Sequence, residues 1–289
     1  MMSIAIEYQL LLSVLLGLTV GSFLNVVILR LPRKMHAEFA SACAEAAGKE
    51  LEAPSNRWFG LDFLIAPHSH CPACGHAIRA WENIPVLSWL LLRGRCSACG
   101  TTIGIRYPVV ELLTALLTVA VVYRFGVSWD TLALCVLVWG LVVLAVIDID
   151  EQLLPDQITL PLLWLGLISN LDGQPAALSD AVLGATVGYL SLWTIFQLFR
   201  ALTGKEGMGY GDFKLFALFG AWMGWQMLPQ IILLSSLSGA VIGIALTVLR
   251  GRDHQIPIPF GPYLILGGLV ALFWGEQLNH TYLQLAGLN

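Results

Sequence analysis

The chain of 289 residues is 57% hydrophobic and only 12% charged, with a formal net charge of −4. A soluble globular domain carries about twice that charged fraction, so a soluble protein built around one core is excluded. The mean hydropathy of +0.76 indicates a polypeptide whose solvent is largely lipid.

Eight apolar runs predict an all-α polytopic membrane protein with about eight transmembrane helices. Crossing the hydrocarbon core takes about 20 residues, and several runs are shorter, so we expect those to end in thinned or water-filled parts of the bundle. The sixth and seventh runs are divided near Pro229. The runs lie near residues 9–29, 107–123, 131–147, 157–171, 178–199, 213–228, 230–249 and 258–276.

The basic residues predict the orientation of these helices. With the N-terminus outside, the first, third, fifth and seventh connections and their flanks face the cytoplasm, and of 15 basic residues only Arg124 falls on the other side. The first run has no preceding Lys or Arg, which indicates a retained anchor rather than a cleaved signal. The cytoplasmic set is Arg30, Arg33, Lys34, Lys49, Arg57, Arg79, Arg93, Arg95, Arg106, Arg200, Lys205, Lys214, Arg250 and Arg252.

The charge pattern also predicts the domain organisation. Residues 1–30 form the N-out anchor, residues 31–106 a cytoplasmic loop domain, and residues 107–289 the membrane core. In the loop, Trp58-Phe59 could contact the membrane surface. No nucleic-acid partner is expected.

Two Cys-x-x-Cys pairs in this loop predict a metal site. Each is followed by glycine, Gly75 or Gly100, which suits a tight turn with positive φ. Four thiolates complete a tetrahedral structural zinc site without an open position. Two disulfides are the alternative, which the reducing cytosol disfavours. We interpret His68, His70 and His76 as loop residues and Cys43 and Cys135 as small apolar side chains; the predicted ligands are Cys71, Cys74, Cys96 and Cys99.

Acidic residues at the cytoplasmic ends of two runs are the second candidate site. Asp148, Asp150 and Glu151 end the third run, and Asp156 follows after Leu154-Pro155. Alone, these acids could be a solvated turn that stops a helix. Carboxylates at a membrane edge are costly, however, and commonly functional.

The acid at the start of the sixth run strengthens this hypothesis. In Gly209-Tyr210-Gly211-Asp212, the two glycines would permit an irregular backbone that brings Asp212 into the bundle. The predicted topology puts Asp148 and Asp212 at the same membrane face. Two facing carboxyl groups could share a proton, activate water and protonate a leaving amine.

The order of several motifs resembles the bacterial type 4 prepilin peptidases, a family of GxGD aspartic proteases. The resemblance extends over nearly the whole chain. It is carried by residues 21–27 (GSFLNVV), the four cysteines, 82–89 (ENIPVLSW), 93–96 (RGRC), 107–111 (YPVVE), Ile147-Asp148 with Leu154-Pro155-Asp156, and 209–212 (GYGD).

The resemblance implies that Asp148 and Asp212 are the catalytic pair of an enzyme in the bacterial inner membrane. It also implies cleavage of the basic leader of type IV prepilins and type II secretion pseudopilins, after glycine, at the cytoplasmic face. The new N-terminus, usually phenylalanine, would then be methylated with S-adenosylmethionine. Gly94 is carried over as a candidate for this methyl transfer. Asp150, Glu151 and Asp156 could assist, with Asp156 expected to cap the next helix.

Other functions are also compatible with the sequence. Within the same class, the chain could be a GxGD protease with another membrane substrate, or one that does not methylate. A transporter could use the two aspartates as an ion or proton site, although such acids are expected nearer mid-membrane. A zinc-bearing scaffold would leave the aspartates unexplained. Glu38, Glu45, Glu50 and Glu52 could attract a basic leader, or simply form a solvated face.

Overall fold

The computed structural model describes residues 2–48, 62–65, 69–173, 175–250 and 259–285. Lys49, Glu50, Glu52, Arg57, Trp58, Phe59, His68 and Arg252 lie outside these ranges, so the interpretations placed on them stay predictions. The described residues are almost entirely helical and contain no strand beyond two isolated bridges, which join His70 to Ala77 and Arg95 to Thr102. An all-α architecture is therefore confirmed.

Ten α-helices follow one another in the described part of the chain. They are α1 (Met2–Ala46), α2 (Asp62–Ile65), α3 (Leu87–Leu91), α4 (Arg106–Phe125), α5 (Trp129–Glu151), α6 (Asp156–Ser169), α7 (Leu178–Thr203), α8 (Tyr210–Met223), α9 (Leu228–Arg250) and α10 (Gly261–Leu285). Short 3₁₀ turns lie at Ala80–Asn83 and Trp225–Met227.

Each of the eight apolar runs coincides with one helix, namely α1 or one of α4 to α10. Among the described residues, five helical stretches are long and apolar enough to cross a membrane: Ile6–Ala46, Arg106–Phe125, Trp129–Glu151, Leu178–Thr203 and Trp225–Ala245. The chain is thus a multi-pass membrane protein, and eight spans remain a prediction. The division near Pro229 was misplaced, because α8 already ends before Gly224, whose φ of 76° stops the helix.

The described chain divides into two compact units, Met1–Val143 and Leu144–Asn289, with the division inside α5. In the first unit, α1 lies directly against α4. A Cβ built on Gly17 would stand 2.5 Å from the Cα of Ala115, and one on Gly21 would stand 2.7 Å from the Cα of Glu111. The small residues therefore allow backbone contact, as expected for helices that associate in lipid.

Helix α1 continues through Pro32 to Ala46 as one helix. The predicted boundary between residues 30 and 31 therefore falls within a helix. Arg30 remains tied to the loop that follows, because its guanidinium donates to the carbonyl oxygens of Phe63 and Leu64 at 2.9 and 3.3 Å. The three-domain division stays a prediction.

In the second unit, α8 is the central helix and is buried along most of its length. Gly220 of α8 touches the backbone of Gly184 in α7, so neither position accommodates a side chain. The indole of Trp222 is buried and donates to the carbonyl of Leu162 in α6 at 2.9 Å. At the other end of α8, the ring of Phe213 packs at a tilt against that of Phe196 in α7, with 5.6 Å between the ring centroids. These contacts hold the first turn of α8, which carries Asp212.

Candidate active site and cysteine centre

Asp148 lies in the last turn of α5 and is the buried acid of its cluster. Its exposed fraction is 5%, whereas Asp150 and Glu151 in the same turn are exposed. Oδ2 of Asp148 accepts a hydrogen bond of 3.1 Å from the backbone N–H of Gly261, the first residue of α10. Helix α10 thus presents its N-terminal end to this carboxyl group, where the helix dipole favours negative charge.

Asp212 is the third residue of α8 and is also buried, with an exposed fraction of 7%. The expected irregular backbone was wrong: Gly209 is an extended N-cap residue (φ −81°, ψ 151°) and α8 is regular from Tyr210 onward. The carboxyl group of Asp212 hydrogen-bonds the backbone of Gly209. This resembles half of a capping box, in which the third residue reaches back to the N-cap N–H. A regular first turn of α8 is therefore sufficient to place the carboxyl group of Asp212 in its buried position.

The two carboxyl groups come together within the second unit. They are close enough for the charge of Asp148 to act on Asp212. Two buried carboxyl groups that repel each other in this way do not readily ionise together, so that one can serve as base and the other as acid. Asp148 and Asp212 therefore lie near each other, as predicted, and their catalytic role stays a prediction.

The close approach of three backbone segments explains the glycines around this pair. A Cβ on Gly261 would stand 2.5 Å from Oδ2 of Asp148, and one on Gly211 would stand 2.8 Å from the Cβ of Leu154. Leu154 therefore fills the space beside both α8 and α10. Sequence reasoning missed Gly261 and this packing role of Leu154. The Gly261-Pro262 pair at a helix start was the available signal, since proline favours the first turn.

Asp156 does not cap α6 as expected. Pro155 occupies the N-cap position and Asp156 is the first helical residue. Its two carboxylate oxygens instead accept from Nζ of Lys214, each at 2.7 Å. Lys214 lies two residues after Asp212, so this ion pair joins the starts of α6 and α8 beside the carboxyl pair.

The four predicted cysteine ligands form one cluster in the first unit. Their sulfur atoms all lie within 4.8 Å of one another, and Sγ of Cys71 is 3.8 Å from Sγ of Cys99. Tetrahedral zinc with bonds of about 2.3 Å places sulfurs roughly 3.8 Å apart. The two knuckles have the same turn, because Gly75 and Gly100 both have φ of 72° and donate to the carbonyls of Cys71 and Cys96.

The cluster is chemically suited to a metal ion. Backbone N–H groups of Cys74 and Ala73 lower the pKa of the Cys71 thiol, and Thr101 lowers the pKa of Cys99 to about 6 through its side chain and backbone. A lowered pKa favours the thiolate, which is the form that binds metal. Hydrogen bonding to the Cys99 sulfur raises the pKa of the Cys74 thiol to about 12, so metal binding would have to displace the proton of Cys74. All four cysteines are free of disulfides, and a structural metal site fits this donor set.

Glu82 joins the two knuckles outside the sulfur cluster. One carboxylate oxygen accepts from Oγ of Ser97 at 2.5 Å, and the other lies 3.3 Å from Nε2 of His76 and accepts from the backbone N–H of Arg79 at 2.8 Å. His76 follows the first knuckle, and Ser97 lies inside the second. We call Glu82, His76 and Ser97 the clasp. Its engagement with Glu82 agrees with the interpretation of His76 as a residue that is not a ligand.

The remaining predicted residues have simpler surroundings. Cys43 is exposed and Cys135 is buried. Gly94 has φ of 65°, and a Cβ there would stand 2.9 Å from the ring of Trp89. Local packing is therefore enough to require glycine, and the part of Gly94 in methyl transfer stays a prediction.

A multi-pass helical chain with paired buried carboxyl groups and a four-cysteine cluster has the features of a polytopic membrane hydrolase. Residues 15–125 match the bacterial peptidase A24 N-terminal domain, and residues 135–244 match the type IV leader peptidase family. The chain belongs to this peptidase family.

Curated relatives resemble the chain over almost its full length. The prepilin leader peptidase/N-methyltransferase of Pseudomonas aeruginosa is 55% identical, over 95% of this chain and 93% of the relative. Proteins of the same name from Stutzerimonas stutzeri (96% and 94% covered) and Aeromonas hydrophila (93% and 92%) are each 54% identical. No solved structure matches. The chain is accordingly an inner-membrane peptidase and N-methyltransferase.

Proposed function

We propose that this enzyme removes the basic leader of type IV prepilins and type II secretion pseudopilins after glycine, and then methylates the new N-terminus. The observation that carries the proposal is the buried pair formed by Asp148 and Asp212 at the ends of α5 and α8. The relatives named as prepilin leader peptidases support the substrate, because they cover almost the entire chain.

In the proposed mechanism, one aspartate is ionised and removes a proton from a water molecule that attacks the scissile carbonyl carbon. The other is protonated and gives its proton to the leaving nitrogen as the C–N bond breaks. We assign the ionised role to Asp148, since its carboxylate faces the N-terminal end of α10 and accepts from Gly261. Asp212 would be the acid.

The distribution of basic residues supports an orientation with the N-terminus in the periplasm and the cysteine centre and carboxyl pair facing the cytoplasm. A substrate with a basic leader and an apolar helix would place its scissile bond at that membrane boundary. Membrane lipid is thus a second partner of the enzyme.

Two further groups belong to the proposal. Zinc would be held by Cys71, Cys74, Cys96 and Cys99 as a structural ion that stabilises the loop, since four thiolates leave no open position. S-adenosylmethionine, when bound, would supply the methyl group. The residues that bind it are left open, with Gly94 as a candidate.

The decisive experiment incubates the purified enzyme with a prepilin, with and without S-adenosylmethionine, and follows the product by mass spectrometry. Asp148→Asn and Asp212→Asn should each abolish leader loss while the protein still inserts into the membrane. Asp150→Asn is the matched control, because it removes an exposed carboxylate that lies two residues after Asp148 in the same helix. Full cleavage by either of the first two variants would rule out the pair.

A further inference from the structure

The cysteine loop exposes an unusual apolar helix face. In α3, Leu87, Leu90 and Leu91 have exposed fractions of 50, 58 and 74%, and Ile84 just before the helix is 45% exposed. Positions i, i+3 and i+4 lie on one side of a helix, so the three leucines form a continuous surface. We call these four residues the α3 apolar face.

The opposite side of α3 is held in place. Oγ of the buried Ser88 donates to the carbonyl of Trp81 at 2.6 Å, and Nε1 of Trp89 donates to the carbonyl of Ile103 at 3.2 Å. The ring of Trp89 also lies against Gly94. The helix therefore cannot rotate to bury its leucines in the loop without breaking these contacts.

A hydrogen bond fixes the depth of α3 relative to the membrane helices. The N–H of Val86 donates to Oε2 of Glu111 in α4 at 2.7 Å, and the side chain of Ser22 in α1 also bonds this carboxylate. Glu111 lies five residues into α4 from Arg106, which is about 7.5 Å along the axis, and Ser22 lies eight residues before Arg30, about 12 Å. The start of α3 is thus held on the membrane side of Arg106 and Arg30, the basic residues at the ends of the two spans.

Val86 adopts a backbone conformation that directs α3 from this anchor point. Its φ of 59° is rare for a β-branched residue and persists only where the surroundings impose it. The contact with Glu111 supplies that constraint. The strained backbone conformation therefore lies at the N-cap residue of α3, which is also the residue that hydrogen-bonds α4.

The charge around the α3 apolar face suits the cytoplasmic leaflet. Residues 69–106 contain Arg79, Arg93, Arg95 and Arg106 but a single acid, Glu82, whose carboxylate is engaged in the clasp. The side chains of Arg93 and Arg95, just beyond α3, are exposed. Basic residues next to an apolar helix face favour a bilayer surface with anionic headgroups.

We propose that α3 is an interfacial anchor, whose apolar face inserts into the lipid of the membrane that α1 and α4 span while Arg93 and Arg95 meet the headgroup phosphates. The occupant of this surface is lipid rather than a protein partner. The loop that carries the cysteine centre is already attached to the membrane through α1 and α4, and α3 adds a further attachment at the bilayer surface.

The test uses the full-length protein in nanodiscs of phosphatidylethanolamine and phosphatidylglycerol, with a photoreactive amino acid at Leu91. Mass spectrometry of the irradiated protein should find phospholipid adducts, with phosphatidylglycerol enriched above its share of the bilayer. Leu116, an exposed residue of α4, is the lipid-facing control. Ala40, exposed and about 15 Å beyond Arg30 along α1, is the water-facing control.

Each outcome decides the proposal. Lipid adducts at residue 91 in a yield near that of residue 116 support it. Crosslinks from residue 91 to other residues of the protein, or a lipid yield as low as that at residue 40, overturn it. Photoreactive residues at Leu87 and Leu90 repeat the measurement, so the answer does not depend on tolerance of one substitution.

Discussion

The backbone N–H of Gly261 donates a 3.1 Å hydrogen bond to Oδ2 of Asp148, and no side chain fits between them. The contact joins the first residue of α10 to the last turn of α5, more than 100 positions earlier in the chain. It orients the carboxylate and places it at the positive end of a helix dipole.

Gly261→Ala should therefore reduce leader cleavage about 100-fold or more. The new Cβ would stand 2.5 Å from Oδ2 of Asp148, so the carboxylate or α10 must move, and displacement of a catalytic group by about 1 Å costs on that order. The measurement is kcat/KM for a prepilin. Gly239→Ala is the control, because its Cβ meets Tyr263 at an ordinary 3.4 Å. Equal losses in the two variants would contradict the argument.

The ion pair of Lys214 and Asp156 should have a modest effect on cleavage. Asp156 is half exposed, and exposed pairs contribute up to about 1 kcal/mol, which is about fivefold in rate. Asp156→Asn and Lys214→Gln should each lower kcat/KM by no more than about fivefold. The loss relative to wild type should be smaller at high salt, which screens the ion pair. The charge-swapped double variant should recover part of the loss. A loss above 100-fold in Lys214→Gln alone would indicate a direct catalytic role.

Glu82→Gln should weaken retention of zinc, since the clasp loses its charged acceptor for Ser97 and His76. Outer contacts of this kind typically alter metal affinity about 10- to 100-fold. Titration of the zinc-loaded protein with a chelator measures the change. Glu38→Gln, which removes an exposed partner of Lys34, is the control.

The pKa of Glu82 predicts how the difference in zinc affinity between wild type and Glu82→Gln depends on pH. The Arg79 N–H and Ser97 lower that pKa below 4.5, so the ionised form is the one favoured by folding. Its contribution is present above the unfolded pKa and is lost as pH falls through the lower folded value. Titration of Glu82 itself should thus not change the affinity difference between wild type and Glu82→Gln from pH 6 to 8. A difference that disappears within this range would exclude the clasp as its cause.

Glu111→Leu should destabilise the first unit, because the N–H of Val86 would lose its acceptor. An unsatisfied buried donor costs about 1 to 3 kcal/mol. Glu111→Gln retains an acceptor oxygen and should be milder. Thermal unfolding in detergent, together with proteolysis of the 84–95 segment, compares the two. Equal stability of the two variants would show that the hydrogen bond to Val86 contributes nothing.

Some features could be predicted because they depend on local chemistry. Glycine after each second cysteine predicted the two turns with positive φ, and both have it. The apolar runs predicted the eight long or central helices, since length and hydropathy are properties of contiguous residues. Boundaries were less predictable, as the break at Gly224 shows.

Other features depend on residues that are remote in the chain. The acid cluster at the end of α5 left several candidates, and the structure separates buried Asp148 from exposed Asp150 and Glu151. Burial depends on which neighbours approach, and here the first residue of α10 contacts Asp148. The glycines before Asp212 suggested an irregular backbone, whereas the reason for Gly211 is its contact with Leu154.

Local sequence was sufficient to predict the membrane-spanning class, the cysteine knuckles and the acidic positions at the ends of two apolar runs, because composition, spacing and charge are properties of neighbouring residues. The packing of remote segments was needed to show that Gly261 donates to Asp148, that Lys214 donates to Asp156, and that Val86 donates to Glu111. Each of these is a hydrogen bond between residues 25 to 113 positions apart. No local pattern specifies such a bond, because it forms only when packed helices bring its donor and acceptor together.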